Sequence, residues 1–135
     1  FYRAPLYPAL VAQLIDLGAG ARDLPLLVRL LNAALHLLNA ALVWRLALRV
    51  WRVPRAAALA ALLAGLSPVA LFFAADPLDI TLASSFMLGA CLATVRATED
   101  EQGAVTSLAL AGALLGAALL TRPQMLLVVG ALALC

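Results

Sequence analysis

Charge is scarce in this chain. Only 12% of its 135 residues are charged, lysine is absent, and nine arginines against seven acids leave a formal net charge of +2. Neutralising phosphates takes a dense basic run, and none is present, so nucleic acid is excluded as a partner. Two cysteines, Cys91 and Cys135, are too few for the cross-linked framework of a small secreted domain, and both read as packing residues in apolar surroundings. A phosphate-binding glycine loop, HExxH, CxxC and GxSxG are all missing, and Gly18-Ala19-Gly20 lacks the strand that would give it meaning. What the chain has in excess is apolar surface. It is 66% hydrophobic with a mean hydropathy of +1.07, against ~45–50% apolar in soluble domains. A domain of this length leaves roughly a third of its unfolded-chain surface exposed, so one core cannot hide that excess. Lipid is the solvent that fits.

A span needs about 20 apolar residues to cross ~30 Å of hydrocarbon. Four runs meet this between charges and prolines, namely residues 24–44, 56–74, 78–95 and 105–121, and a fifth begins at Pro123. The fold class is therefore all-α, a polytopic transmembrane helix bundle of four spans plus the start of a fifth, occupying 24–135. Residues 1–23 form the end of an external loop, with Ala9 to Leu17 as an interfacial amphipathic stretch among Pro5, Pro8 and the Gly18–Gly20 pair. Ser67-Pro68 falls inside the second run and should kink it. The chain opens at Phe1 without a methionine or basic leader and stops at Cys135 within an apolar run, so it is expected to be an internal fragment.

Orientation follows from arginines in short loops. Arg45, Arg49, Arg52 and Arg55 cluster after the first span, which places that loop in the cytoplasm. Alternation then puts Asp76 to Asp79 and Arg122 outside and Arg96 to Gly103 inside, where Glu99, Asp100 and Glu101 read as a solvated loop.

Polar residues within the runs are costly in lipid unless they face protein or water. Arg29, Asn32, His36 and Asn39 fall within an arc of about 80° on one helix face, which should look into the bundle. It is either the wall of a substrate cavity or, preferably, a set of interhelical hydrogen bonds. Thr81, Ser84 and Ser85 make a second small polar face, and Gly112 and Gly116, extended by Ala109 and Ala113, make a GxxxG expected to serve close helix packing. Asp76 and Asp79 flank Pro77-Leu78 at the membrane surface. Carboxylates there can hold a divalent cation or accept a proton, or Asp79 can cap the third span. Arg122, at the outer end of the fourth span, either binds an anion, lipid phosphate being the abundant one, or snorkels to headgroups. Arg3, beside Tyr2 and Tyr7, has the same two readings.

Arg3-Ala4-Pro5-Leu6-Tyr7-Pro8, Arg29-Leu30-Leu31-Asn32-Ala33-Ala34-Leu35, Leu66-Ser67-Pro68 followed by Leu78-Asp79, and Leu120-Thr121-Arg122-Pro123 occur in this order. The series resembles the GT-C superfamily of polytopic glycosyltransferases, which includes protein mannosyltransferases and aminoarabinose transferases. The resemblance implies transfer of a sugar from a polyprenyl-phosphate donor to a glycan, lipid or protein acceptor on the extracytoplasmic face of a bacterial inner (plasma) membrane. It assigns Asp79 a supporting catalytic role and Arg3, Tyr7, Asp76 and Arg122 to substrate binding, with Arg122 and Arg3 on the phosphate. The family's main catalytic aspartate would lie before Phe1, so this stretch alone is expected to be inactive. The competing readings are a multi-span transporter, with the Arg29 to Asn39 face lining its path, and a structural membrane subunit.

Overall fold

The computed structural model describes residues 5–16, 20, 22–75, 79–100 and 102–122, and every regular element among them is helical. Six helices follow one another: α1 (Leu6–Asp16), α2 (Leu24–Trp51), α3 (Pro54–Gly65), α4 (Pro68–Ala75), α5 (Ile80–Glu99) and α6 (Ala104–Thr121). Three of them, α2, α5 and α6, are long and apolar enough to cross a membrane, and α3 is a shorter apolar helix. Leu26, Leu30, Leu37, Leu59, Leu63, Phe72, Val105 and Leu108 stand exposed on the outer surfaces of these helices. Such a surface is stable in hydrocarbon and unstable in water.

The first run extends further than the arginines suggest. Helix α2 continues through Arg45 and Arg49 to Trp51, so the expected loop from 45 to 55 shrinks to Arg52 and Val53. Arginine is a good helix former, and its long stem carries the charge to the interface without ending the helix. The turn itself is made by Arg52, whose φ of 55° is left-handed and whose N–H bonds the Leu48 carbonyl at 2.9 Å. Val53 is extended, as the residue before Pro54 must be, and Pro54 opens α3 at a position where no amide partner is needed.

The second run is broken rather than merely kinked. Helix α3 ends at Gly65, Leu66 caps it, and α4 restarts at Pro68. Pro68 has no N–H to give the turn before it, so the ladder stops and begins again with Leu71 N–H on the Ser67 carbonyl at 2.9 Å. The first helix, expected over Ala9 to Leu17, starts at Leu6 and takes Pro8 in its first turn.

Helix α5 is the centre of the arrangement. It buries Thr81, Leu82, Ala83, Ser85, Ala90 and Ala93, packing on α2 along one side and α6 along the other, while α3 returns along α2. Small residues let these backbones approach. A Cβ built on Gly89 would meet Leu114 Cδ1 of α6 at 3.2 Å. The GxxxG packs on none of the described helices, since among the described residues a Cβ on Gly112 or Gly116 meets nothing within 4 Å. The inward face of α6 is instead Ala111, Ala118 and Thr121, and the glycine pair is turned away from it.

Two expected features of the acidic loop also change. Glu99 is the last residue of α5, and its carboxylate takes a 2.6 Å hydrogen bond from Arg49 Nη1 instead of lying free in a loop. Asp100 accepts the Gly103 amide at 3.2 Å and closes the turn into α6. Glu101, Pro77 and the fifth run from Pro123 lie outside the described residues.

The Gly89 to Leu114 approach yields a prediction. Gly89→Val should lower the thermal stability of the protein in lipid nanodiscs by about 1–3 kcal/mol through overpacking, and adding Leu114→Ala should recover part of that loss. Additive losses in the double variant would show that the two residues do not meet.

Candidate functional site

The polar residues of α2 serve the break in the neighbouring helix. Once Pro68 interrupts the ladder, the Gly65 carbonyl lacks its helical donor, and His36 Nε2 donates to it at 2.9 Å. One turn further, Asn39 Nδ2 donates to the Thr81 carbonyl at 3.1 Å, which joins α2 to the first turn of α5. Thr81 O also accepts the Ser85 hydroxyl at 3.0 Å. Asn32 is fully buried, with 0% exposure. Three of the four residues on the expected inward face therefore look into the bundle, but Arg29 is exposed and is not part of it. At 100° per residue Arg29 lies at the edge of the arc, and its charge has a route to solvent or headgroups that the others do not need.

These residues line a cavity of about 310 Å³ at the helix break, walled by His36 and Asn39 from α2, Ser67 and α4, and Thr81 and Ser84 from α5. A second cleft of about 470 Å³ lies between α2, α3 and α4, with His36 shared between the two and Leu37, Trp44, Leu62 and Leu66 making it apolar.

The other cluster lies just beyond the first turn of α5. Asp79 occupies the residue before α5, yet its side chain makes no capping bond to the helix amides. Its Oδ1 instead accepts a 3.2 Å hydrogen bond from Nε of Arg122, which sits at the end of α6. The choice between capping and another role for Asp79 is thus decided by a partner 43 residues away. The side chains are 32% and 27% exposed for Arg122 and Asp79, so water and ions screen the pair and its worth is about 0–1 kcal/mol. The contact uses Nε, and the two terminal nitrogens of Arg122 form no hydrogen bond with the described residues. Thr121, fully buried beside it, donates its hydroxyl to the Ala117 carbonyl at 2.8 Å and fixes the end of α6.

The structure thus brings together two of the five residues that sequence reasoning assigned to the site, Asp79 and Arg122. Arg3 and Asp76 lie outside the described residues, as does the side chain of Tyr7, whose backbone is in the first turn of α1. No group of three or more His, Cys, Asp or Glu side chains gathers among the described residues. With a guanidinium against it, the Asp79 carboxylate is a poor ligand for a divalent cation. Sequence reasoning weighed the α2 polar face as a cavity wall and preferred interhelical hydrogen bonds; His36 and Asn39 do both, and what it did not place was the cavity at the helix break. Its signal was Ser67-Pro68, which frees a carbonyl, set against the polar face of α2 that supplies a donor.

Residues 3–135 match the family described as dolichyl-phosphate-mannose-protein mannosyltransferase. The chain belongs to this mannosyltransferase family. No curated protein and no solved structure matches it. Family and fold together make it a membrane glycosyltransferase of the GT-C type, carried by apolar helices that account for its integral-membrane character. In this glycosyltransferase the Asp79–Arg122 pair is where charge from two helices converges at one end of the bundle. The pair predicts its own signature. In a double-mutant cycle with Asp79→Asn and Arg122→Gln, thermal unfolding in nanodiscs should give a coupling of about 0.5–1 kcal/mol, and additivity would show that the pair is not formed.

Proposed function

We propose that the protein transfers a sugar from a polyprenyl-phosphate donor to a glycan, lipid or protein acceptor at the extracytoplasmic face of a bacterial plasma membrane, with Arg122 holding the donor phosphate. The observation that carries this reading is the Nε contact to Asp79. It orients the guanidinium while leaving its terminal donors open, as a phosphate clamp at the mouth of an apolar bundle requires. The acceptor hydroxyl attacks the anomeric carbon as the bond from that carbon to the phosphate oxygen breaks. The electron pair leaves with the polyprenyl phosphate, and the hydroxyl proton passes to a general base that the family resemblance assigns N-terminal to Phe1. Arg122 stabilises the charge that grows on the leaving phosphate, and Asp79 positions Arg122. Arg3 would be a second phosphate contact, with Tyr7 and Asp76 beside the substrate.

Charge at the two ends of the bundle supports the sidedness. Arg45, Arg49, Arg52, Arg55 and Arg96 gather near the α2–α3 turn and the end of α5, with the exposed Trp44 and Trp51 in the last turns of α2. Such a belt of arginine and tryptophan suits the cytoplasmic interface, which leaves Asp79 and Arg122 for the outer one.

In the full-length enzyme, Arg122→Ala should reduce transfer from a polyprenyl-phosphate-linked sugar by about 10²–10³-fold, the scale of losing one charge-stabilising donor set, with membrane insertion intact. Turnover equal to wild type would remove Arg122 from the site. A single cysteine placed at Arg52 should react with an impermeant thiol reagent only from the cytoplasmic side, and reaction from outside would invert the topology.

A further inference from the structure

The apolar cleft of about 470 Å³ is walled by Leu37, Ala41 and Trp44 of α2, by Leu62 and Leu66 of α3 and its cap, and by Leu71 of α4. No charged residue lines it, and His36, the polar side chain on its wall, is engaged with the Gly65 carbonyl. Hydrocarbon is what such a wall accepts. Both helices carry the wall on toward the α2–α3 turn. Trp51 follows Trp44 by seven residues, and Arg55 precedes Leu62 by seven. Seven residues are two turns, which return a side chain to within about 20° of the same line. Trp51 and Arg55 therefore continue the two walls, about 10 Å beyond Trp44 and Leu62, and the turn of Arg52 and Val53 joins them.

That end of the cleft has positive charge to spare. Arg52 and Arg55 are exposed and make no hydrogen bond or ion pair with the described residues. Of the acids at this end, Glu99 is taken by Arg49 and Asp100 closes the turn into α6. Arg52 also holds a left-handed φ of 55°, which glycine adopts at lower cost, so this turn carries a guanidinium at the expense of some strain. A ligand that fits cleft and turn together has an aliphatic chain for the one and a phosphate for the other, with Trp51 at the boundary between headgroup and hydrocarbon. The length agrees. From Leu37 to Trp51 the wall rises about 21 Å, enough to lie along a chain that fills one leaflet, half of a ~30 Å layer. We propose that the cleft between α2, α3 and α4 binds one anionic phospholipid, its acyl chain along Ala41, Trp44 and Leu62 and its phosphate between Arg52 and Arg55. This end faces the cytoplasm in the topology proposed above, and the cytoplasmic leaflet supplies anionic lipid. The site lies at the opposite end of the bundle from Arg122 and stands whether or not the transferase reading holds.

The test uses the full-length protein, delipidated in a non-ionic detergent, with retained lipids counted by native mass spectrometry as phosphatidylglycerol or phosphatidylcholine of the same chains is added. Wild type should retain one more phosphatidylglycerol than the double variant Arg52→Gln, Arg55→Gln, at concentrations where phosphatidylcholine, about tenfold weaker at this site, is retained equally by both. Ala41→Phe, which fills the cleft from an exposed position, should lose the same single lipid. Arg45→Gln should keep it, because Arg45 is turned about 100° from Trp44 and lies off the line of the cleft. Equal retention by wild type and the double variant, or a site that takes phosphatidylcholine as readily, would overturn the proposal. Loss of the lipid in Arg45→Gln would replace the site with a diffuse basic belt, and its retention in Ala41→Phe would put the chain elsewhere; each overturns it. Displacement by glycerol 3-phosphate would mean that a phosphate alone is held, and displacement by polyprenyl phosphate at lower concentration would give the cleft to the donor; each again overturns it. The Ala41→Phe and lipid-exchange measurements leave the turn intact and decide the question if the double variant fails to fold.

Discussion

The constraint behind the rest of the structure is the thickness of the hydrocarbon layer, and helix α5 shows it by carrying an ion pair at each end and no ion pair between. Arg49 of α2 meets Glu99 at its C-terminal end, and Arg122 of α6 meets Asp79 at its N-terminal end. The helix between them, Ile80–Glu99, has 20 residues, and at 1.5 Å per residue its charged ends are roughly 30 Å apart. That distance is the thickness of the hydrocarbon layer. Among the described residues these are the two salt bridges. Charge is thus spent where water or headgroups are in reach, and the length between is left to small and apolar side chains. The same constraint makes one end of the bundle arginine-rich and sets the Asp79–Arg122 pair at the other.

Inside the layer, every backbone group must find a partner within the protein. Pro68 violates that rule locally by ending the ladder of α3, and the bundle answers with side chains from α2. His36 takes the Gly65 carbonyl, and one turn on Asn39 ties α2 to Thr81. Irregular backbone at membrane depth is tolerated where it lines a cavity, and a cavity is what lies beside Ser67. The broken helix, the polar face of α2 and the cavity are one feature seen from three sides.

Much of this was legible in the sequence, because hydrocarbon imposes a simple pattern. Run length gave the α2, α5 and α6 spans to within a few residues, except where α2 and α5 continue past their arginines. Helix propensity and snorkelling let Arg45, Arg49 and Arg96 stay helical, and loop-based reasoning treats such residues as boundaries. The break at Ser67-Pro68 was visible as a proline, but its depth was not, since that depends on whether a neighbour can satisfy the freed carbonyl. The Asp79–Arg122 contact spans 43 residues, and no local pattern encodes such a distance; each residue alone read equally well as a cap or a snorkelling cation. The GxxxG of α6 packs on none of the described residues, for the opposite reason. Small residues permit close approach on whichever face a neighbour occupies, and Gly89 of α5, with no partner glycine to form a motif, is the glycine at which an added Cβ would crowd a neighbouring helix, 3.2 Å from Leu114 Cδ1.

The central claim is that the Asp79–Arg122 end of this bundle serves sugar transfer and that the bundle does not serve as a conduit. Full-length protein reconstituted in sealed vesicles, supplied with a polyprenyl phosphate carrying a radiolabelled sugar, separates the two. The account predicts that label moves from the lipid to an acceptor, with release of polyprenyl phosphate, only when the acceptor is on the side that Arg122 faces. Label crossing the bilayer with the lipid-linked sugar left unconsumed would contradict it and return the polar face of α2 to the role of a translocation path.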